Sequence, residues 1–599
     1  MKNSLSPKAL NPKLFFSLLF LYQLFFTFQG LDLSDEGFFG TFYQQIFNHP
    51  DSVQYNFMFW LSGVVGGAFD YVFGGLGIWG QRLFATLITT ATIILVYNLL
   101  KKYLDRGRLQ IALLIVLVTM NNQTKVFHYN FLSVLLYVTT AILLFKGLQK
   151  GKSIYLFLSG LCIALDTFTR IPSVVNLGLV LVIFYYGWLY KTKFLAQLIN
   201  AVIFGAGFVA GSAGVLLLIK LVGHWEVFIN ALILVRKLGS GAEESAYGIS
   251  ALIMQFFNAY YASFKVAVIV LIILAIAVII VYYLQKTSWY RKWMSDLVRY
   301  GVLLGIGYLV VTRVIDNYVM LYFLTGFSLI AGALIVFSNA EKEIKLLAFI
   351  GCYILLAYPL GSGAGLYSVG IYSLWFAFPI AFDYFFHQRF LDARYTMGRF
   401  NIPFNIAAFA NERQLRHLKN FVAIACIIAG LFYSWYYPFF DYHERSKMVY
   451  TTNSKYLNVY TTRERATVMN ELLTESAKYV KPGDYTLAYH SIPMFHYATR
   501  TVPFVHNSMP WFYQASVFRE ELDGAVKRTG VFPVVVMQRR KTVGKAGSTW
   551  PDPAPYYDTA WYKKNWPRDS TLNSFLETNH YQKAWENEMF TIMVPQKTP

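Results

Sequence analysis

The chain is 599 residues long, 56% hydrophobic and only 14% charged, with 52 Phe, 44 Tyr and a mean hydropathy of +0.42. A typical soluble domain is about 45–50% apolar and about 25% charged, so the composition excludes a disordered, fibrous or ordinary cytosolic protein and leaves a polytopic membrane protein with some extramembrane mass. The net charge of +20 divides unevenly: 32 Lys and Arg against 17 Asp and Glu before residue 440, and 20 against 15 from there on. Most of the excess therefore lies in the hydrophobic part, where loop cations set topology, and nothing resembles a basic nucleic-acid-binding face. Cys162, Cys352 and Cys426 sit in apolar runs, which argues against a disulfide framework or a thiolate metal site.

Taken in chain order, apolar segments of spanning character fall near 13–30, 80–99, 109–120, 130–148, 154–169, 173–190, 195–222, 262–284, 298–312, 318–338, 345–358, 371–386 and 420–437. Each needs about 20 apolar residues to cross a hydrocarbon core of about 30 Å, and the count is about thirteen. The first run, preceded by Lys2, Lys8 and Lys13 and followed by no small-residue cleavage site, reads as a retained first span. Threading from a cytoplasmic N-terminus puts most loop cations inside, among them Lys101, Lys102, Arg106, Arg108, Lys191, Lys193 and the basic stretch 389–419. The odd number of spans then puts the C-terminus outside. Residues 1–439 form the expected membrane domain and 440–599 the expected soluble domain. In the latter, helical spacing over Arg463–Tyr479 alternates with strand candidates in "KPGDYTLAYH" and "GVFPVVVMQ". It closes on a helix and hairpin in "FLETNHYQKAWENEMFTIMVP", the pattern of a small α/β fold.

Outer loops 31–79 and 223–257 are the places to look for chemistry, because ionisable groups near membrane depth are costly to keep. The first opens "LDLSDEGFFGTFYQQIF", placing Asp32, Asp35 and Glu36 directly after the first span. A carboxylate there has the chemistry of a general base toward an acceptor hydroxyl. The competing reading is a set of solvated anions at a helix N-terminus, favoured by the dipole. The aromatic stretch "YNFMFWLSGVVGGAFDYVFGGLG", which begins with Tyr55, suits a helix lying in the interface. Arg82 then stands at the outer end of the next span, where it either meets an anionic phosphate or snorkels.

In this order of features the chain resembles the membrane glycosyltransferases of the C superfamily, the GT-C fold, in the branch of the protein O-mannosyltransferases and the aminoarabinose transferase of lipid A. The resemblance is carried by the single span before an outer loop with the pair Asp35-Glu36, the aromatic amphipathic stretch, the Arg82-Leu83 opening of the second span, about thirteen spans and a small α/β domain at the end. It implies an enzyme that moves a hexosyl or pentosyl group from a polyprenyl-phosphate carrier to a lipid, glycan or protein acceptor. Transfer would occur at the outer face, with inversion. By position Asp35 matches the family's catalytic acid and Glu36 its neighbour. It further implies a bacterial inner membrane and an extracytoplasmic C-terminal domain. Where many relatives carry Pro-Pro-Leu, this chain reads "YNFMFWL".

Within that frame Arg170, Arg82 and Lys125 are the candidates for the donor phosphate, and Asp32, Tyr55, His128, Asp166 and Arg313 for further substrate contacts. Asp166 and Arg170, four apart, also fit a plain intrahelical pair, and Arg313 with Asp316 a local one. The segment Gly361–Gly370 permits close approach to phosphate or sugar, or simply tight helix packing. The loop 223–257, with "KLGSGAEESAYG", reads as a lid or as a solvated loop. No cofactor is implied: a divalent metal lacks an acidic cluster beyond Asp32, Asp35 and Glu36, and His490, His496 and His506 fit no zinc spacing. The rival readings are a lipid-linked oligosaccharide polymerase or ligase and, from another class, a transporter or lipid flippase, for which neither repeat-related halves nor mid-membrane polar breaks are evident.

Overall fold

The computed structural model describes residues 8–120, 124–240, 249–314, 317–361, 366, 370–387, 394–397, 400–403, 412–441, 443–542 and 560–596. The membrane part begins with α1 (Pro12–Phe25), α2 (Asp35–Gln45), a 3-10 stretch over Pro50–Phe59, α3 (Trp60–Phe73), α4 (Gly77–Leu100), α5 (Arg106–Met120) and α6 (Tyr129–Lys150). It continues through α7 (Ser153–Thr169), α8 (Val180–Tyr190), α9 (Phe194–Leu221), α10 (Trp225–Ser240), α11 (Ile249–Leu284), α12 (Lys292–Val314), α13 (Asn317–Phe337), α14 (Lys342–Ala357) and α15 (Leu374–Phe386). A short hairpin, β1 (Arg394–Met397) and β2 (Phe400–Pro403), precedes α16 (Glu412–Tyr436).

A helix stands on every apolar segment expected to span. Among the described residues six helical stretches are long and apolar enough to cross a membrane, including Tyr129–Lys150, Phe194–Leu221 and Met320–Phe337. Rows of exposed apolar side chains on α9, such as Leu195, Val202, Val209 and Leu217, have no protein to cover them and suit a lipid-facing surface. The chain is thus an α-helical polytopic membrane protein. Helices α7 and α9 pack backbone to backbone, because Gly160 faces the Phe204 carbonyl and Gly207 the Phe157 carbonyl, where any Cβ would collide.

Two expectations shift. The first helix stops at Phe25, five residues short of the expected end of its span. The chain beyond it leaves the helix to pair with the C-terminal domain, through Tyr460 N–H to Phe28 O (2.8 Å) and Gly30 N–H to Tyr460 O (2.9 Å). Gly30 takes φ +98°, which only glycine adopts cheaply. The region read as a loop at 223–257 contains helix α10, which packs on the 3-10 stretch of loop one, where the Trp60 indole donates to His224 Nδ1 at 3.1 Å. The segment 241–248 lies outside the described residues.

The C-terminal part contains β3 (Tyr450–Thr451), β4 (Tyr460–Thr461), α17 (Arg463–Ser476), β5 (Tyr485–Tyr489), α18 (Met494–Thr499), β6 (Val502–Pro503) and α19 (Ala515–Thr529). It ends with β7 (Val534–Gln538), α20 (Ala560–Thr578), β8 (Tyr581–Glu586) and β9 (Phe590–Pro595). Its five-stranded sheet has the order β6-β5-β7-β9-β8, parallel through β6, β5 and β7 and antiparallel from β7 to β9 and β8. The expected helix, both strand candidates and the closing hairpin are therefore present, and the domain is α/β. It is sewn to loop one. Asp441, fully buried and paired with Arg465 at 2.7 Å, accepts the Leu31 N–H at 2.7 Å. Pro493 O takes the Thr41 hydroxyl at 3.1 Å and Leu33 O the Met494 N–H at 3.1 Å, while Gly37 and Gly40 on α2 leave room for Met494 and Tyr497.

Candidate active site

The three acids that open loop one have three different surroundings. Asp32 lies just before α2 and acts as its cap, with Oδ1 accepting the Ser34 N–H at 2.8 Å and Oδ2 the Glu36 N–H at 3.0 Å. This supplies partners to amides that the first turn of a helix leaves unpaired. Burial, with Asp35 and Glu36 beside it, holds its carboxyl well above the usual range. Glu36 is engaged by Arg82 through two bonds, Nε to Oε1 at 2.9 Å and Nη2 to Oε2 at 2.5 Å, with both side chains buried. Asp35 is different. The residue is half-buried where Asp32 and Glu36 are buried, and among the described residues its carboxylate has one distant hydrogen-bond partner, the Thr124 hydroxyl at 3.4 Å from Oδ2. Burial raises its carboxyl to about 6, with Thr124 opposing the rise and Glu36 adding to it. A carboxylate so placed is ionised at neutral pH and basic enough to take a proton.

Cations gather on the other side of the loop. Lys125 Nζ donates to Phe26 O at 3.2 Å and sits 5.0 Å above the Phe26 ring. Arg445, buried, lies over the same ring at 4.6 Å, donating to Ser434 O at 2.7 Å and to Gln29 O at 3.3 Å. Its Nη2 is buried with no partner. Enclosure by protein atoms, then Arg445 and Arg82, push the Lys125 amine well below the ordinary lysine range, against the pull of Glu36. Cations crowded this way favour an anion between them.

Farther along, Arg170 leaves α7 in an extended conformation (φ −155°) and donates to Tyr358 O at 2.7 Å and Leu360 O at 2.9 Å, 5.0 Å over the Tyr358 ring. Asp166 accepts instead from Asn176 at 3.0 Å and from Ser133. Tyr129 lies within electrostatic reach of both Asp35 and Arg170. Two cavities, of about 410 and 330 Å³, lie elsewhere, one along α1 and α4 and the other in the C-terminal domain beside Tyr456, and neither is lined by these acids.

The family model described as dolichyl-phosphate-mannose-protein mannosyltransferase matches residues 65–210. The resemblance to the C-superfamily membrane glycosyltransferases stands. The matched stretch carries Arg82, Lys125, His128, Asp166 and Arg170 and begins after Asp35 and Glu36. Among solved structures, ArnT from Cupriavidus metallidurans bound to undecaprenyl phosphate is 11% identical, with 97% of each chain covered and a TM-score of 0.38. The apo oligosaccharyltransferase of Archaeoglobus fulgidus is 12% identical over 88% of this chain and 70% of its own, with a TM-score of 0.43. Neither likeness is close enough to assign a role to any residue here. No curated protein sequence matches the chain.

The geometry redistributes the expected roles. Arg82 has five N–H donors and five acceptors: the two Glu36 oxygens, Thr27 O at 2.8 Å, Gln29 O at 3.3 Å and Gly30 O at 2.6 Å. No donor remains for a phosphate, so the expected phosphate contact is corrected to a clamp on the chain that carries Asp35. Asp32 likewise serves as a cap. Asp166 and Arg170 do not form the intrahelical pair that was the alternative to a substrate role, since Arg170 has already left the helix. His128 is buried, stacked on Phe39 at 5.2 Å and bonded to Val126 O at 2.9 Å. Burial lowers it to about 4, which keeps it neutral. Tyr55 packs at the seam between loop one and the C-terminal domain, 5.2 Å from the Phe512 ring, its N–H on His506 O. The side chain of Arg313, Asp316 and most of Gly361–Gly370 lie outside the described residues. No three His, Cys, Asp or Glu side chains converge on a common point among the described residues. Sequence reasoning missed Arg445 and Thr124. The only local signal for Arg445 is an arginine directly after the last span, in "YHERSK".

Proposed function

We propose that this membrane glycosyltransferase moves a hexosyl or pentosyl group from a polyprenyl-phosphate carrier to a hydroxyl of a lipid, glycan or protein acceptor, with inversion. The N-terminus would be cytoplasmic and the active site and C-terminal domain extracytoplasmic, as the loop cations favour. The observation that carries the reading is the division among three neighbouring acids. Two are consumed by cap and clamp, and the carboxylate of half-buried Asp35, at the top of a fixed helix, is left with one long hydroxyl contact. Asp35 takes the acceptor O–H proton as the oxygen bonds to the anomeric carbon from the face opposite the phosphate. The bond from that carbon to the phosphate oxygen breaks, and its electron pair leaves with the carrier phosphate. Lys125, Arg445 and Arg170 offset the charge that develops there. The family match supports the donor class. In proteoliposomes loaded with radiolabelled polyprenyl-phosphate mannose and glucose, Asp35→Asn abolishes transfer. Full transfer by Asp35→Asn overturns the assignment. A ladder of products instead of single-sugar addition replaces it with a polymerase, and lipid movement without a covalent product with a flippase.

A further inference from the structure

The parallel strands β5 and β7 end side by side, and a second set of polar side chains collects at their carboxyl ends. Gln538, the last residue of β7, receives the Ser491 N–H on Oε1 at 3.2 Å and the Thr542 hydroxyl on the same atom at 3.1 Å. His490 Nδ1 meets the Ser491 hydroxyl at 3.4 Å, and the Tyr489 hydroxyl donates to Asp569 Oδ1 at 2.5 Å from α20. All six side chains are buried, in a sheet whose neighbouring positions, Leu487, Val535 and Val536, are apolar. In parallel α/β sheets, the carboxyl ends of strands are where loops diverge and ligands bind.

Gln538 gives the second observation. Its Nε2 is buried, the residue being 7% exposed, and has no partner. Turning the amide over does not cure this, because it would set N–H against the N–H of Ser491. The donor therefore awaits an acceptor, and leaving such a group bare costs about 1–3 kcal/mol.

The position is not remote from chemistry. The chain leaving β5 passes from Ser491 through Ile492 to Pro493 and Met494, which dock on Leu33 and Thr41, to either side of the start of α2 at Asp35. The charges are balanced, with Asp569 and Arg568 adjacent on α20, and burial and Arg568 hold His490 well below the usual histidine range and hence neutral. An amide donor, a carboxylate, an imidazole and hydroxyls suit vicinal hydroxyl groups, not a phosphate.

We infer that the cluster of His490, Ser491, Gln538, Thr542 and Asp569 is a binding subsite for a neutral, hydroxyl-rich group, the saccharide portion of a glycan-bearing acceptor. It rests on the glycosyl-transfer reading and narrows its acceptor to a carbohydrate. The test is equilibrium binding to the full chain in nanodiscs, by saturation-transfer NMR, with glucose, galactose, mannose and N-acetylglucosamine as probes and N-acetyl-threonine amide standing for a protein acceptor. At least one monosaccharide binds, and Gln538→Glu, which keeps Oε1 and deletes the donor, weakens it tenfold or more at an unchanged melting temperature. If Gln538→Glu does not fold, Thr542→Val, which frees the amide from its anchor, carries the same comparison. Equal binding by the variant, no bound monosaccharide, or selective binding of the threonine amide overturns the inference. Asp35→Asn binds the saccharide as wild type does. A protein that binds saccharide through Gln538 but transfers nothing from lipid-linked sugar would sink the transferase reading and leave the subsite standing.

Discussion

If Asp35 is the base, the acid limb of the pH profile belongs to it. A carboxyl raised to about 6 is half ionised there. It is about nine-tenths ionised one pH unit above and about one-tenth one unit below. The apparent kcat/KM for acceptor therefore falls about tenfold per unit of acidification below about pH 6 and levels off above it. His128 cannot mimic this limb, because burial holds it at about 4. The Thr124 hydroxyl stabilises the ionised form from 3.4 Å, and burial and Glu36 work against it. A bond that long is worth about 0.7 kcal/mol, below the usual charge-assisted range, and about 1.4 kcal/mol corresponds to one pKa unit. Thr124→Val should thus move the limb upward by about half a pH unit, and Thr124→Ser should return it. Initial rates in proteoliposomes, at saturating donor and across the acid range, measure the midpoint. A flat profile through pH 6, a limb that moves downward in Thr124→Val, or an unchanged limb in residual Asp35→Asn activity would refute the assignment.

Arg82→Met leaves Glu36 and three carbonyls unpaired in the interior and costs about 3–5 kcal/mol, read as a lower melting temperature in detergent. The double change with Glu36→Gln recovers part of that loss, because the uncompensated charge goes. Arg445→Gln and Lys125→Gln each raise the donor KM tenfold or more with a smaller change in acceptor KM, and a matched effect on both substrates would count against a phosphate role. Gly207→Leu forces α7 and α9 apart and destabilises by about 1–3 kcal/mol or more, visible as poor recovery of folded protein. Gly37→Val lifts α18 off α2, so limited proteolysis should release the C-terminal domain faster while the membrane helices stay intact.

The parts of the fold that were legible depend on near neighbours in sequence. A run such as 195–222 needs only its own apolar side chains to declare a helix, and "GVFPVVVMQ" needs only its β-branched run to declare a strand. Helix α10 was hidden because the charges on its exposed side, Glu226, Arg236 and Lys237, read as a solvated loop, while its short apolar stripe of Val227, Phe228, Ala231 and Leu234 shows its meaning only once the helix packs on the 3-10 stretch of loop one. The loop-one acids were found, but their roles could not be ranked from spacing. What separates Asp35 from Glu36 is an arginine 46 residues along, and what separates it from Asp32 is which backbone amides point inward. Arg445 joins Lys125 at the ring and carbonyl of Phe26, more than 400 residues from Arg445 in the chain, a coincidence no local pattern encodes.

A general base must be held still without being neutralised, and these demands conflict, since the groups that hold a carboxylate best are those that lower its basicity. On the proposed assignment of Asp35, α2 meets both by taking its anchors elsewhere. Arg82 grips Glu36 and the chain from Thr27 to Gly30, Asp441 grips Leu31, and Pro493 and Met494 grip Thr41 and Leu33 from the C-terminal domain. None of these contacts falls on the Asp35 side chain, whose one hydrogen-bond partner among the described residues is a hydroxyl at long range. The C-terminal domain is then more than a cap on the membrane bundle. Two of the three anchors come from residues after 440, so removing it would free α2 even though every acid in loop one remained.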